Sequence, residues 1–461
     1  MEVFIKIVQL VLSLSIMVII HELGHFIPAK LFKTKVEKFF LFFDVKFSIV
    51  KFRKIDGKWK AWFFKKNNDT SIPETDKTEL GVGWLPLGGY VKIAGMIDES
   101  MDKEQMKLPP QPWEFRSKKT WQRLIVMVGG VTMNVVLAIA IYIVMLSLWG
   151  EEYLPAKNVK YGIACDSMAL EMGLRNGDKI LSVENKEVKD FFKIPAEIIL
   201  EEAKTIQVIR DGKKMDVEIP YGFSGKLSQH KSPDFITVRF PYEVEEFAKT
   251  SPAKDAGMMV NDRIIGLNEK NLEYYNDFRT EIVKHKNESV NVTVLRNKDT
   301  LHLPVNVPED GKIGVQAKSM TSYFELNKQE YNFFQAIPAG TVKAYEMMEK
   351  YLKSLKLIFS PETKAYESLG GFISIGNIFP AEWDWSAFWN LTAFLSIMLA
   401  VMNLLPIPAL DGGYVLFLLY EIIFRRKPSE KFMEYATYVG MFFLLALLVL
   451  ANGNDIIKLF K

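Results

Sequence analysis

Four long blocks of apolar residues limit the folds open to this chain more than any other feature of its sequence. They cover roughly residues 3–27, 124–148, 388–405 and 435–450. Each block is about as long as the ~20 residues that a helix needs to cross a bilayer. Apolar residues make up 49% of the 461 residues, which is more than a wholly soluble protein needs. The sequence therefore predicts a polytopic α-helical membrane protein with four transmembrane helices.

The local distribution of charge predicts how these helices are oriented. Between residues 30 and 66 there are twelve Lys or Arg residues and only three acidic residues. A second basic cluster follows the third block and consists of Arg425, Arg426, Lys427 and Lys431. Positive residues concentrate on the cytoplasmic side of membrane proteins. We therefore expect both basic segments in the cytoplasm, and both termini and residues 150–385 on the opposite side.

The four helices divide the chain into segments. We expect transmembrane helix 1 at 1–30, helix 2 at 121–150, helix 3 with a following helix at 385–430, and helix 4 at 431–461. The first block is longer than the apolar part of a signal peptide, and no small-residue cleavage site precedes its basic flank. We therefore expect it to be a retained helix. The net charge of +3 predicts no nucleic-acid partner.

Residues 31–120 contain β-forming stretches in which apolar and polar residues alternate. One of them, Pro86 to Lys92, includes the glycine pair Gly88 and Gly89. This pattern predicts a membrane-associated β-hairpin or small sheet with a turn at the glycines. Residues 67–77 are polar and are expected to form an exposed loop.

An approximate internal repeat occupies the region between the second and third blocks. A stretch beginning at Asp166 and a stretch beginning at Ser251 share one pattern of apolar, glycine and aspartate positions, and each is followed by strand-like sequence. The pattern predicts two β-rich modules at 151–222 and 223–308. Both resemble PDZ domains, although Asn261 replaces a usual glycine. The resemblance implies grooves for an extended peptide or a C-terminus.

The remaining part of this region, residues 309–384, is expected to be an amphipathic helical segment. Apolar residues recur with helical periodicity at 331–357 among lysines and glutamates. We expect a helix on the membrane face, and a helix packed against a domain is the alternative. The single cysteine, Cys165, excludes an intrachain disulfide and is expected to be a buried structural residue.

The sequence His21-Glu22-Leu23-Gly24-His25 lies at the basic end of the first block. On a helix, residues four apart lie on one face, so both imidazoles can bind the same metal ion. Glu22 can then take a proton from a metal-bound water, as in peptidases with this motif. Ionisable residues inside a membrane helix usually have a function. The alternative is that these are polar residues closing the helix end.

Two histidines require a third protein ligand to form a catalytic zinc site. His230, His285 and His302 fall in the segment expected on the opposite side of the membrane, so we expect them to be surface residues. Asp411 follows the third block, which ends on the same side as the first by the charge argument. It is therefore the candidate third ligand. Alternatively, Asp411 caps the N-terminus of the helix that follows it.

Three motifs together resemble the site-2 protease family of intramembrane metalloproteases. They are the HExGH motif, the stretch Pro86 to Lys92, and the stretch from Asn403 to Gly413 that includes Leu410-Asp411-Gly412. The resemblance implies that His21, His25 and Asp411 bind Zn²⁺ and that Glu22 is the general base. It also implies a set of substrate-binding residues, namely Asn403, Pro406, Pro408, Gly88, Gly89 and Asn134. Val131 and Phe372 stand where the family has proline.

The resemblance also implies a biological role in the bacterial inner membrane. The expected activity is zinc-dependent hydrolysis of a membrane-anchored, anti-sigma-factor-like protein that an earlier cut has shortened. The active site is expected near the cytoplasmic side of the bilayer, and the PDZ-like modules outside the cytoplasm. A non-catalytic membrane scaffold with PDZ grooves is the main alternative, and a metal transporter that uses the same ligands is a second.

Overall fold

The computed structural model describes residues 1–66, 73, 76–86, 88–96, 108–223, 226–227, 235–358 and 370–460. The chain forms two compact units. The first comprises Met1–Gly150, Glu330–Leu352 and Ser368–Lys461, and the second comprises Glu151–Gln329 and Lys353–Glu367. Most of the predicted loop at 67–77 lies outside the described residues, as does His230.

The α-helices whose bounds are described are, in chain order, α1 (Glu2–Leu31), α2 (Thr120–Trp149), α3 (Ser167–Glu171), α4 (Ile194–Leu200), α5 (Pro252–Asp255), α6 (Tyr275–Ile282), α7 (Phe333–Ile358), α8 (Phe372–Ile378), α9 (Trp385–Leu404), α10 (Asp411–Phe424) and α11 (Glu430–Leu459). The strands are β1 (Val36–Leu41), β2 (Phe43–Ile55), β3 (Lys58–Lys66), β4 (Glu79–Leu85), β5 (Tyr90–Ile93), β6 (Glu151–Tyr153), β7 (Ile163–Cys165), β8 (Lys179–Val183), β9 (Lys186–Glu187), β10 (Thr205–Arg210), β11 (Lys213–Glu218), β12 (Ile236–Val238), β13 (Tyr242–Phe247), β14 (Arg263–Leu267), β15 (Lys270–Asn271), β16 (Ser289–Arg296), β17 (Asp299–Asn306), β18 (Val315–Ala317) and β19 (Asn327–Gln329).

Among the described helices, four are long and apolar enough to cross a membrane. These stretches are Glu2–Leu31, Thr120–Trp149, Trp385–Leu404 and Lys431–Lys458. They belong to α1, α2, α9 and α11, and each overlaps one of the four predicted blocks. Polar caps set where two of them begin: Asp384 accepts the backbone N–H of Ala387, and Ser429 accepts that of Phe432. The prediction of a helical membrane protein is confirmed.

Strands β1 to β5 form one sheet in the order β3-β2-β4-β1-β5. Strand β1 runs parallel to β4 and antiparallel to β5. Of the two predicted forms, the small sheet is confirmed. The hairpin at Pro86 to Lys92 is wrong, because β4 and β5 lie on either side of β1 and do not pair with each other. Strand β1 takes this central place with Phe40 fully buried. Gly81 leaves room for that ring, since a Cβ there would lie 2.3 Å from a ring carbon of Phe40.

The second unit contains two β-rich modules with corresponding strands. In the first module, β11-β10-β8-β9 form one sheet and β12 pairs with β7. In the second, the order is β17-β16-β14-β13-β18, and β15 pairs with β14. Strands β7 to β12 therefore correspond in order to β13 to β18. The internal repeat that the sequence predicts is present in the structure.

Two predicted domain boundaries fall inside these modules. Strand β12 lies beyond residue 222 but pairs with β7, and β18 lies beyond residue 308 but pairs with β13. Each module therefore ends one strand later than the sequence predicts. A strand of three residues is too short to show the alternation from which strands are recognised in a sequence.

Each module contains the same buried ion pair. Arg210 binds Asp178 through two nitrogens at 2.8 and 2.7 Å, and Arg296 binds Asp262 through two nitrogens at 2.8 Å each. Both aspartates are 1% exposed, and each also accepts the backbone N–H of the residue three positions before it. Two-pronged arginine–carboxylate pairs of this kind fix geometry as well as adding energy. The pair therefore ties the end of β10 or β16 to the turn before β8 or β14.

Replacing Asp262 by Asn should destabilise the second module. The loss should be about 3 kcal/mol, the lower end of the range for a broken buried pair, because the Arg296 side chain is 26% exposed. Hydrogen exchange of the full chain in detergent should show faster opening of β14 and β16. The amides of β8 and β10 are the internal control, and Asp255→Asn, at an exposed position, is the control variant. An equal loss of protection in both modules would contradict the assignment.

Candidate active site

Helices α1 and α2 come into backbone contact at a pair of glycines. A Cβ on Gly24 would lie 2.3 Å from the carbonyl oxygen of Gly129, and a Cβ on Gly129 would lie 2.0 Å from that of Gly24. Small residues at such contacts let membrane helices approach closely. The neighbouring Gly130 faces the imidazoles, since its Cβ would lie 2.4 Å from His25 Nε2 and 2.7 Å from His21 Cε1. A larger residue at any of these positions would separate the helices or displace the histidines.

Three side-chain atoms from two separate helices converge beside this contact. His21 Nε2 and His25 Nε2 lie 3.3 Å apart, and each lies 3.3 Å from Asp411 Oδ2. Ligands at zinc distances of 2.0–2.1 Å in a tetrahedral arrangement are about 3.4 Å apart. The triangle therefore has the dimensions of three zinc ligands. Among the described residues, it is the group of His, Cys, Asp and Glu side chains close enough to hold one metal ion.

The environment of the Asp411 carboxylate fits the same ion. Its Oδ2 atom is buried and, within the described part of the chain, accepts no hydrogen bond despite two imidazole nitrogens at 3.3 Å. Buried polar atoms are nearly always paired. Two imidazole nitrogens around an unpaired buried carboxylate oxygen, all within ligand distance of one another, form the arrangement of a metal-binding group.

Residues on α2 contact the Nδ1 atoms of the two imidazoles. His25 Nδ1 lies 2.8 Å from the carbonyl oxygen of Val126, so Nδ1 carries the proton and Nε2 keeps its lone pair. The amide nitrogen of Asn134 lies 3.2 Å from His21 Nδ1, and the Asn134 Oδ1 atom has no hydrogen-bond partner among the described residues. Half a turn of this amide lets Oδ1 accept the N–H of His21 Nδ1. Both imidazoles then present Nε2 to the same point.

The loop between α9 and α10 places Asp411 at the first position of α10. A Cβ on Gly412 would lie 2.1 Å from the carbonyl oxygen of Leu405, and a Cβ on Gly413 would lie 2.6 Å from that of Ile407. The two glycines therefore let the loop fold back onto the helix start. Leu410 is the N-cap residue, without a side-chain cap. The alternative role of Asp411 as N-cap is therefore wrong, because Asp411 lies inside the helix with its carboxylate at the imidazoles.

A cleft of about 550 Å³ opens onto the three converging atoms. Glu22 forms part of its wall beside His21, and β5 forms another part through Tyr90 to Ile93. Gly89 brings this strand close to α1, since a Cβ there would lie 2.6 Å from a Val18 methyl carbon. Further lining comes from a carboxylate and an ammonium group, Asp44 and Lys38, which lie 3.6 Å apart.

The residues implied as substrate-binding occupy different places in the structure. Asn403 lines the cleft with its amide nitrogen 3.3 Å from His21 Nε2, and Gly89 lines it beside β5. Gly88 precedes it in the left-handed region, with φ of 151°. Asn134 is fully buried behind His21.

The two prolines flank this part of the cleft. Pro406 is exposed, and Pro408 packs against Gly440 of α11. The cleft lining from this loop comes from Ala409 and Leu410.

Sequence reasoning missed Gly130 and the carbonyl of Val126. Every residue has a backbone carbonyl, so a sequence does not show which carbonyl contacts a histidine. Gly130 could have been noticed, because a Gly-Gly pair in an apolar helix is typical of close helix packing. The pair alone does not indicate which helix packs against it.

Two of the remaining histidines and Cys165 lie in the β modules, and Cys165 is only partly buried. His285 lies 2.7 Å from Glu288, and exposed His302 lies 3.0 Å from Thr293, both in the second module. Cys165 packs against the core of the first module, and burial raises the pKa of its thiol to about 12. A thiol with so high a pKa carries no thiolate at neutral pH, which supports a structural role.

Comparison with known proteins agrees with this geometry. The family model of Peptidase family M50 matches residues 9–65 and 70–447. A protein of Rickettsia conorii named as a candidate zinc metalloprotease is 28% identical, over 99% of this chain and 99% of its own length. The regulator of sigma-E protease RseP of Escherichia coli K12 is 26% identical, over 97% of this chain and 98% of its own. The regulator of sigma E protease of Haemophilus influenzae is also 26% identical, with the same coverage.

The family match covers most of the chain, including both the HExGH helix and the Leu410-Asp411-Gly412 turn. Together with four helices suited to a membrane, it accounts for a metal-binding group at the end of an apolar helix. The chain belongs to Peptidase family M50 and is a zinc metalloprotease of the site-2 protease type, a multipass protein of the bacterial inner membrane.

Proposed function

We propose that this protease carries out regulated intramembrane proteolysis of single-span membrane proteins of the anti-sigma-factor type. The substrate would be one that an earlier cut outside the cytoplasm has shortened. The names of the Escherichia coli and Haemophilus influenzae relatives, both regulators of sigma-E, support this substrate class. The observation that carries the proposal is the triangle of 3.3 Å sides formed by His21, His25 and Asp411 at the end of a membrane helix.

In this proposal His21, His25 and Asp411 bind the zinc ion. When bound, zinc polarises the scissile carbonyl and lowers the pKa of water to about 7. Val126 and Asn134 fix the orientation of the two imidazoles, as partners of zinc-binding histidines generally do. Asn134 thereby acts on substrate only through His21, and its complete burial supports this positioning role over direct substrate contact.

Glu22 is the proposed general base. Glu22 lines the cleft next to His21, so its carboxylate can reach a water in the cleft. It accepts the proton of that water and passes it to the leaving amine. The amide of Asn403 lies on the same side of the cleft, and it can donate to the substrate carbonyl as negative charge develops there.

Strand β5 is the proposed binding edge for the substrate backbone. A transmembrane helix hides its peptide bonds, so hydrolysis requires local unwinding, and lipid cannot pair the freed backbone groups. Strand β5 lies at one end of the described sheet and lines the cleft, so an extended substrate segment can add to it. Gly88 and Gly89 lead into this strand, and Gly89 lets the strand itself lie close to α1.

The proposed topology places four spans in the membrane, with the basic segments at 30–66 and 425–431 in the cytoplasm. The active site is then near the cytoplasmic side. The two β modules, taken as PDZ-like domains on the basis of their shared sequence pattern and strand order, lie outside the cytoplasm. Their proposed role is to exclude substrates with bulky uncut ectodomains, and their grooves are suited to a peptide or a C-terminus.

Replacing Glu22 by Gln should abolish cleavage of a model transmembrane substrate, with a loss of about 10²–10⁴-fold in kcat. Zinc content, measured by atomic absorption, should not change, because Glu22 is not a ligand in the proposed site. Glu2→Gln is the matched control, because Glu2 lies on the same helix and is exposed. Full turnover by Glu22→Gln would eliminate the assigned base.

The wild-type protein distinguishes the protease from the alternatives in the same assay. A chelator should stop cleavage, and added zinc should restore it. Zinc bound at one ion per chain without any cleavage would favour a scaffold, and zinc movement across vesicles would favour a transporter.

Replacing Gly130 by Ala should weaken zinc binding by at least about 10-fold, the effect expected when the support of metal ligands is disturbed. The added Cβ would meet His25 Nε2 at 2.4 Å. Gly453→Ala is the matched control, because Gly453 lies in membrane helix α11 with open space where its Cβ would be. Asp411→Asn should also lower zinc content. Unchanged zinc content in both Gly130→Ala and Asp411→Asn would refute the proposed ligand set.

Removing the two modules should allow uncut substrates to be cleaved. Strands β6 and β19 pair with Glu151 opposite Gln329, so the ends left by excising 151–329 are neighbours that a short Gly-Ser linker can join. The measurement is cleavage of full-length and shortened substrates in proteoliposomes, with Glu22→Gln in the excised chain as the inactive control. Loss of activity toward both substrates would mean that the modules recruit and do not exclude.

A further inference from the structure

A second cavity of about 380 Å³ lies in the first unit, beside the active-site cleft. Its walls come from the start of α2, from α10, and from the start of α11. The volume falls within the range of pockets that take small ligands. The proposed mechanism gives this cavity no role.

The cavity is a continuation of the cleft. Met96 and Tyr414 line both spaces, so the cavity and the cleft share these two residues as a common wall. The same continuity holds along α11, where Met433 lines the cavity and Thr437, one turn later, lines the cleft. A chain bound in the cleft can therefore place a side chain in the cavity without leaving the surface of the protein.

The spacing of residues along α10 gives the distance between the scissile bond and a substrate side chain bound in the cavity. Asp411, Tyr414 and Leu418 follow each other at helical spacing on one face. Leu418 lies seven residues after Asp411, which is about 10 Å along the axis. An extended peptide advances about 3.3 Å per residue, so the cavity is about three residues from the scissile bond. Strand β5 runs the same way, from Tyr90 in the cleft toward Gly95 and Met96 at the cavity.

The chemistry of the cavity lining indicates which kind of substrate side chain can bind there. Most of the lining is apolar and comes from Met96, Phe115, Tyr414, Phe417, Leu418 and Met433. Two arginines in the lining are already neutralised, because Arg116 lies 2.6 Å from Glu114 and Arg123 lies 2.6 Å from Glu421. The third cation of the lining, Lys427, is exposed to solvent, where an ion pair contributes little. Such a site gains energy from burying an apolar group and offers little to a carboxylate.

We propose that this cavity is a specificity subsite of the protease, which takes a bulky apolar substrate side chain about three residues from the scissile bond, on the side that leads from β5 toward Met96. The proposal rests on the proposed function, because it requires the substrate to lie extended along β5. It assigns Met96, Tyr414 and Met433 as specificity-determining residues.

The first test compares substrates on the wild-type protein in detergent. A model transmembrane substrate carries Ala, Leu, Trp or Asp at each of the five positions on either side of the cut, one change at a time. The Leu and Trp substrates should show kcat/KM at least about 10-fold above the Ala substrate at a position near the third, on one side only. The Asp substrate should gain nothing. Equal rates for Ala, Leu and Trp at every position would overturn the proposal.

The second test fills the cavity. Met433→Trp should lower kcat/KM for the Leu and Trp substrates at least about 10-fold more than for the Ala substrate, and so remove the advantage of the bulky substrates. Met441→Trp is the matched control, because Met441 lies on the same helix and is 44% exposed. An equal loss on Ala and Trp substrates, with zinc content and thermal stability unchanged, would refute the subsite.

A third measurement needs no folded variant. A photoreactive benzoylphenylalanine at the selected substrate position, on chelated wild-type protein, should crosslink to peptides that contain Met96 or Met433. Crosslinks only to lipid, or only to peptides outside the cavity, would overturn the proposal. Failure to cleave any substrate would instead count against the proposed function, so the two failures are distinguishable.

Discussion

The backbone contact between α1 and α2 at Gly24 and Gly129 is the constraint on which the active site depends. It brings Val126, Gly130 and Asn134 against the two imidazoles, so that one helix supplies the ligands and the other sets their orientation. Helix α2 also reaches the elements that carry the third ligand. Ser396 of α9 donates to the carbonyl of Asn134, and Arg123 binds Glu421 of α10. Because α2 contacts all three helices, a shift of α2 would change the distances from Asp411 to the two histidines.

The parts of this site that depend on local sequence were predictable. The spacing of His21 and His25 is a property of one helix turn, and the charge pattern placed Asp411 at a similar depth. The contacts of Gly130 and Asn134 were not predictable, because they depend on the register of two helices about a hundred residues apart. Strand order failed for the same reason. Nothing in the run from Pro86 to Lys92 indicates that β1, some fifty residues earlier, separates β4 from β5.

Polar groups inside the apolar helices are organised as one connected network. In a low dielectric, an unpaired polar group is costly and a paired one is strong and directional. His25 is paired with the Val126 carbonyl, His21 with Asn134, and the Asn134 carbonyl with Ser396. The buried Oδ2 atom of Asp411 has no hydrogen-bond partner within the described residues, and it lies where the zinc ion belongs. The folded site is therefore already shaped for the metal.

Because of the same low dielectric, a membrane protease can select its substrates in two separate steps, before and after the substrate helix unwinds. A substrate in helical form presents no free backbone groups, so neither β5 nor the cleft can recognise it. Selection among substrates at this stage depends only on whether they can reach the active site. Once unwound, the segment has backbone groups that need hydrogen-bond partners, which the edge of β5 supplies in the proposed function, and side chains that need a place away from water. The cleft and the cavity beyond Met96 and Tyr414 offer both along one line. Selection by size can therefore precede unwinding, whereas selection by sequence must follow it, because only the extended chain reaches these contacts.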